Sequence, residues 1–207
     1  MDDAAVSIRL AGPADAAAIG VLTREAYAKW VPVAGREPKP MTVDYDEAVK
    51  QHRFDLLFVA EELAALIETV RQGDQLLIEN VAVRPAFQKR GYGVRLLKLA
   101  EDLAARAKLE GTRLYTNKLF HENIRLYASL GYAVEREETL GDRTAVHMVK
   151  RLTSRPAAGG QFNRRGALRS AEGQHMSLRS PRFSAISAVN YASWPDVFGP
   201  PHDHRAR

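Results

Sequence analysis

The stretch VAVRPAFQKRGYG, residues 81–93, passes from three apolar, strand-like residues into two glycines separated by one tyrosine, with three basic side chains on the way. A strand that runs into a glycine-bearing turn and then opens a helix is the general form of a backbone anion site. The free N–H groups of the first helical turn and the helix dipole converge there. Three nucleotide-type patterns share that form, and two fail here. A Walker loop needs Lys followed by Ser or Thr after its last glycine, whereas Val94 and Arg95 follow Gly93. A dinucleotide fingerprint places its third glycine where this chain has Leu96. What remains is Gln88-Lys89-Arg90-Gly91-Tyr92-Gly93, which fits Q/R-x-x-G-x-G/A. Gly91 and Gly93 let the backbone approach a ligand closely, and Lys89 or Arg90 adds charge. Taken alone, the six residues also read as a surface helix start with a basic turn.

Outward from this stretch the pattern alternates. Upstream, VSIRLA (6–11) reads as a strand, and Pro13 with Asp15 opens a helix carrying Ile19, Leu22, Ala26 and Trp30. Residues 31–41, with one glycine and three prolines, are expected to be a loop, followed by a short helix from Asp44 or Asp46 to about Gln51. DLLFVAEE, LAALIETVRQ and QLLIENVAV follow as three closely spaced strands, the last two joined by QGD, which predicts an antiparallel meander. From Gly91 the period becomes helical: Leu96, Leu97, Ala100, Leu103, Ala104 and Ala107 share a face, and Gly111 is expected to stop the helix. TRLYTN (112–117) is a strand, HENIRLYASLGY a helix capped at Gly131, and AVEREET with RTAVHMVKRL a closing strand pair. The expected fold class is mixed α/β (α+β): about seven strands and four helices in the order βααβββαβαββ.

Charge divides the chain near Ser154. The whole chain has a formal charge of +5, yet residues 1–153 hold 22 basic and 22 acidic side chains, and residues 154–207 hold eight Arg and three acids. The basic pI thus belongs to the tail, and nucleic acid is not the expected partner of the main domain. The expected organisation is a domain over 1–153 and a Ser, Arg, Gly and Pro-rich, disordered tail over 154–207. There is no cysteine, which removes disulfides, thiolate metal sites and a cysteine nucleophile together. No apolar run is long enough to span a membrane, and the chain opens with Asp2 and Asp3 rather than a basic leader, so a cytoplasmic protein is expected. No His, Asp and Glu set has metal-ligand spacing, and no metal is expected.

The motif and its surroundings resemble the GCN5-related N-acetyltransferase (GNAT) superfamily over about residues 5–152. LLIENVAVRPAFQKRGYGVRLL looks like that family's fourth strand, turn and third helix, and NIRLYASLGY looks like its later helix. The resemblance implies that the turn Gln88, Lys89, Arg90, Gly91, Tyr92, Gly93 binds the pyrophosphate of acetyl-CoA. It further implies that Val81, Ala82 and Val83 offer backbone groups to the pantetheine arm, with the Val83 N–H toward the thioester oxygen. It places Tyr127 within reach of the coenzyme sulfur, with Asn123 one helical turn before it on the same face.

Within that frame the residues favour a mechanism. Residues 1–153 contain Ser7 and Ser129 as their only serines, neither in a nucleophile elbow, so direct attack by the acceptor is expected rather than an acyl-enzyme. Glu79 is the expected proton acceptor, because strict alternation puts it on one face with Leu77, Val81 and Val83, an acid in an apolar row. A Glu paired with a Lys or Arg of a neighbouring strand is the competing reading. Asn117 and His121 are weaker candidates for the base, and the family's acid or His near this point is replaced by TNK. His52 and His147 read as structural. Acceptor recognition is expected from Val31–Met41 with Trp30, Tyr45 and the last two strands. The expected activity is acetyl transfer from acetyl-CoA to a primary amine, of a small molecule rather than a peptide. The alternative is an acyl-CoA-binding regulatory module without turnover. The exposed last strand suggests a homodimer.

Overall fold

The computed structural model describes residues 5–152, so the expected tail from Ser154 lies outside the described residues. Seven strands form one sheet: β1 (Val6–Leu10), β2 (Arg53–Val59), β3 (Glu62–Gln72), β4 (Gln75–Val83), β5 (Gly111–Asn117), β6 (Ala133–Leu140) and β7 (Arg143–Arg151). The helices are α1 (Ala16–Tyr27), a single turn α2 (Val31–Ala34), α3 (Tyr45–Gln51), α4 (Tyr92–Arg106) and α5 (His121–Ser129). With α2 set aside, the element order is the expected one. The segment read as a loop makes that turn because Pro32 pre-sets a helical φ near its start, and Gly35 at φ +70 ends it. Asp44 is the cap that opens α3, its side chain accepting from the Asp46 and Glu47 N–H groups.

The strands lie in the order β1-β2-β3-β4-β5-β7-β6. β2, β3 and β4 form the expected meander, the last turn made by Gly73 at φ +61. β4 and β5 are parallel because α4 carries the chain back across the sheet. β7 then inserts between β5 and β6, an order that local patterns do not specify.

Each face of the sheet has its own core. Leu96, Leu97, Ala100 and Ala104 of α4 pack with Ile67, Ile78, Val81, Val83, Leu114 and Tyr127 on one face. Ile19, Leu22, Tyr27 and Trp30 from α1 and the turn after it pack with Phe54, Leu56, Leu66, Ala82 and Phe120 on the other. Trp30 stacks on Phe120 with ring centroids 4.0 Å apart, joining the α1 end to the start of α5. None of the described helices is long and apolar enough to cross a membrane.

The expected stop of α4 at Gly111 is corrected. The helix ends at Arg106, where Lys108 takes φ 57, a left-handed conformation that breaks it. Gly111 instead opens β5, and a Cβ there would lie 2.3 Å from the Lys150 carbonyl oxygen of β7. A backbone oxygen held in a ladder cannot yield, so Gly111→Ala is expected to destabilise the domain by about 3 kcal/mol. Calorimetric melting should register this as a fall of roughly 6–12 °C.

Candidate active site

β4 and β5 pair only from Gln75 to Ile78 and from Gly111 to Leu114. β4 runs on to Val83 and β5 to Asn117, so the two strands part and leave a gap in the sheet. The Arg84 N–H donates to the Ala64 carbonyl at 2.9 Å on the β3 side. By the alternation of an antiparallel ladder, Val81 and Val83 therefore turn their N–H and C=O groups toward the gap, and Ala82 turns its own toward β3. Of the three residues expected to offer backbone groups, Val81 and Val83 are placed to do so and Ala82 is not.

The glycine turn lies at the end of this gap. Gly91 is in the left-handed region at φ +84 and opens α4, whose first helical bond runs from the Arg95 N–H to the Gly91 carbonyl. The N–H groups ahead of Arg95 have no carbonyl one turn back and are available to an anion. Lys89 also adopts a positive φ of 64, so the chain reverses tightly just before the helix. Lys89, Arg90 and Gly91 are exposed, and the Arg90 guanidinium sits 5.4 Å from the centroid of the Phe87 ring. Gln88 fastens the turn. Its Nε2 donates to the Val83 carbonyl at 2.9 Å, tying the turn to the strand end.

On the α4 face of the gap, α5 brings Tyr127 and Asn123 into the interior, Tyr127 with no exposed surface. The Tyr127 hydroxyl is buried and has no hydrogen-bond partner among the described residues. Burial drives its phenol far above the ordinary range, so it is a proton donor only.

On the α1 face the strict alternation expected for β4 breaks. Glu68 of β3 opposes Asn80 and Thr69 opposes Ile78, so Glu79 is the extra residue of a β-bulge. The bulge resets the face parity: Ile78, Val81 and Val83 all join the α4-side core. The expectation that Glu79 shares a face with Val81 and Val83 is thus overturned. Its carboxylate accepts from the Tyr115 hydroxyl of β5 at 2.6 Å, on the opposite face. Burial raises the Glu79 carboxyl above the usual carboxylate range, the Tyr115 bond opposes this, the nearby Glu68 adds to it, and His52 and Lys39 oppose it.

Glu68 is buried, and its Oε1 lies 2.6 Å from Nδ1 of the half-buried His52, at the C-terminal cap of α3. Bonding to Glu68 raises the His52 pKa above its ordinary value. Local reading of the sequence misses this pair because its members are 16 positions apart and meet only when α3 packs beside β3. Behind it, the Tyr27 hydroxyl donates to Asn80 Oδ1 at 2.8 Å, and the Tyr45 hydroxyl donates to the Pro40 carbonyl at 2.8 Å. Pro40, in the Val31–Met41 segment expected to recognise the acceptor, is thereby tied to α3. The weaker candidates for the base are placed elsewhere. Asn117 Oδ1 accepts from the Leu119 N–H and closes a turn, and His121 is exposed at the start of α5. His147 Nε2 lies 3.0 Å from Glu138 Oε2 on β6, while burial lowers its pKa. No cluster of metal-ligating side chains occurs among the described residues.

The protein is thus a mixed α/β fold whose sheet parts between two parallel strands, with the glycine turn at the mouth of the gap, Tyr127 on one face and Glu79 on the other. Residues 53–134 match the family model described as an acetyltransferase (GNAT) domain. Solved structures share the fold. The PaiA N-acetyltransferase of Thermoplasma acidophilum, in complex with coenzyme A, is 18% identical with a TM-score of 0.60, over 72% of this chain and 99% of that one. A Bacillus subtilis acetyltransferase in complex with CoA is 17% identical with a TM-score of 0.56, over 72% and 99%. Ard1 of Thermoplasma volcanium is 18% identical with a TM-score of 0.57, over 72% and 98%. A comparison with curated proteins returned no match.

Proposed function

We propose that this chain is an acetyl-CoA-dependent N-acetyltransferase that passes the acetyl group directly to a primary amine, with small-molecule amines favoured over peptides. The observation that carries this reading is the gap between β4 and β5, flanked by Tyr127, a buried hydroxyl donor with no partner among the described residues, and by a raised carboxyl, Glu79. The fold relatives crystallised with coenzyme A and the GNAT match of residues 53–134 support the choice of donor.

The residues present suit that donor. The amides from Gly91 into the first turn of α4, with Lys89 and Arg90, would hold its pyrophosphate. Val81 and Val83 would pair with the pantetheine amides, and the Val83 N–H would face the thioester oxygen as negative charge grows there. The bound thioester supplies the electrophilic carbonyl. Glu79 accepts the proton of the attacking amine, directly or through one water, a task favoured by a pKa above the usual carboxylate range. Tyr127 donates its hydroxyl proton toward the departing sulfur. Asn123, buried one turn before Tyr127, orients that helix face. With Ser7 and Ser129 as the only serines of residues 1–153 and no cysteine, the chain favours attack without an acyl-enzyme.

The test is a primary-amine screen with acetyl-CoA and a thiol-release readout. Turnover without a burst supports direct transfer. Binding of acetyl-CoA with no turnover across amines and peptides would leave a binding module in its place. In the same assay, Tyr127→Phe is expected to lower kcat about 10-fold, because a thiol with a pKa near 8.5 needs only modest help to leave. The KM for acetyl-CoA and the thermal midpoint should stay unchanged, since the hydroxyl bonds to nothing among the described residues. An unchanged kcat would reduce Tyr127 to a packing residue.

A further inference from the structure

We propose that Trp30 and Phe120 form a clasp across the open end of the gap, a positioning pair that holds β4 and β5 at the spacing the donor's pantetheine arm requires. The inference rests on the reading of the donor as a coenzyme A thioester. It starts from the ladder between the two strands, which runs only as far as Ile78 and Leu114. One residue further on, the Tyr115–Glu79 bond still crosses the gap. Toward Val83 and Asn117 the spacing is left to side chains that reach both banks. The end of α1 supplies them. On the β4 bank the Tyr27 hydroxyl donates to Asn80 Oδ1 at 2.8 Å, and Glu25 Oε2 lies 2.9 Å from Arg84 Nε in an ion pair just past the strand. On the β5 bank Trp30 stacks on Phe120, with ring centroids 4.0 Å apart and planes at 22°. Phe120 is itself fixed to the strand end, its N–H donating to the Asn117 carbonyl at 2.9 Å. Residues 25–30 therefore run from one bank to the other on the α1 face.

The bridge is built to be stiff. Trp30 and Phe120 are both buried, and a stacked pair of flat rings resists sliding apart because the contact area is lost at once. The Lys29 ammonium, 4.5 Å from the centroid of the Trp30 ring, is a further hold on the indole. This placement divides the donor site in two. The glycine turn belongs to the β4 bank alone, where Gln88 ties it to the Val83 carbonyl, so it needs nothing from the clasp. The pantetheine arm lies between the banks and feels their spacing. Loosening the clasp therefore weakens a ligand that carries the arm and spares one that lacks it. A pair that only filled the core would move both ligands together or neither.

The test titrates the full chain with coenzyme A and with ADP, which keeps the adenosine and pyrophosphate of coenzyme A and lacks its pantetheine arm. Trp30→Leu and Phe120→Leu keep apolar filling and remove the stack, whereas Trp30→Phe keeps a ring for it. Coenzyme A affinity is expected to fall about 10-fold in each leucine variant, and by no more in the double variant, because the two residues act as one contact. Trp30→Phe should stay within about 2-fold of wild type, and ADP affinity should stay within about 2-fold in every variant. Without ligand, amide-resolved hydrogen exchange at residues 80–83 and 115–117 should be at least about 5-fold faster in the leucine variants, with residues 75–78 unchanged. Equal losses for the two ligands, or strand ends that exchange as in wild type, overturn the proposal. The two readings fail separately. A wild type that binds and turns over acetyl-CoA, with leucine variants that match it, rejects the clasp alone; a folded wild type that binds no coenzyme A rejects the donor reading and this role with it.

Discussion

Full-length Gly91→Glu is expected to lose at least about 100-fold in affinity for acetyl-CoA by calorimetry while remaining folded. Two effects add. Gly91 sits at φ +84, where a residue with a side chain is strained by roughly 1–2 kcal/mol. The larger effect is electrostatic: a carboxylate about 5 Å from a phosphate charge, at the effective dielectric of a protein surface, repels it by about 3 kcal/mol. That is about two decades in affinity before strain is counted. Gly91→Ala separates the two. A Cβ there meets nothing within 4 Å, so alanine carries only the backbone strain and should weaken binding by roughly 10-fold or less. The strain should lower the thermal midpoint of both variants by roughly 2–8 °C. Equal affinities of Gly91→Glu and wild type would remove this turn from the donor site.

Glu79→Gln should separate activity from stability. In steady-state assays kcat/KM is expected to fall about 100-fold to 1000-fold, the usual span for a lost general base. Acetyl-CoA affinity should be unchanged, because the turn and Glu79 lie at different parts of the gap. The sign of the stability effect follows from the raised pKa. A carboxyl raised in the folded state contributes stability below its unfolded pKa and loses it as pH rises through the folded value. Wherever Glu79 is ionised it is thus a burden on the fold, and glutamine, which still accepts from Tyr115, relieves it. Melting above the folded pKa should show an equal or higher midpoint for Glu79→Gln, and the difference should shrink as pH is lowered. Wild-type kcat/KM should fall as pH drops through the same value, and the variant should lack that limb. Full activity in Glu79→Gln would remove it as the base.

Much of the site was legible because its signals are local. The turn from Gln88 to Gly93 is legible as a helix-opening turn by residue type, because glycine sits easily at φ +84. The placement of Tyr127 and Asn123 inward follows from a helical period of four, which neighbours do not alter. The meander and its glycine turn are equally local, since hairpin loops are chosen by their own φ values.

Glu79 shows where such reading stops. Alternation along LLIENVAV puts it with Val81 and Val83, but one extra residue against Glu68 and Thr69 of β3 sends it to the other face. A bulge is a property of two strands in register, and neither strand carries it alone. The same holds for the His52–Glu68 pair, for the Tyr115–Glu79 bond across 36 positions, for the parting of β4 from β5, and for Gly111, whose need appears only once β7 lies beside it. The sequence by itself determined the order of elements, the glycine turn that opens α4 and the inward face of α5, because φ preference and short-range periodicity act over a few residues. Tertiary structure alone decided which acid faces which partner and how that acid is tuned, because burial and charge act through space between segments far apart along the chain.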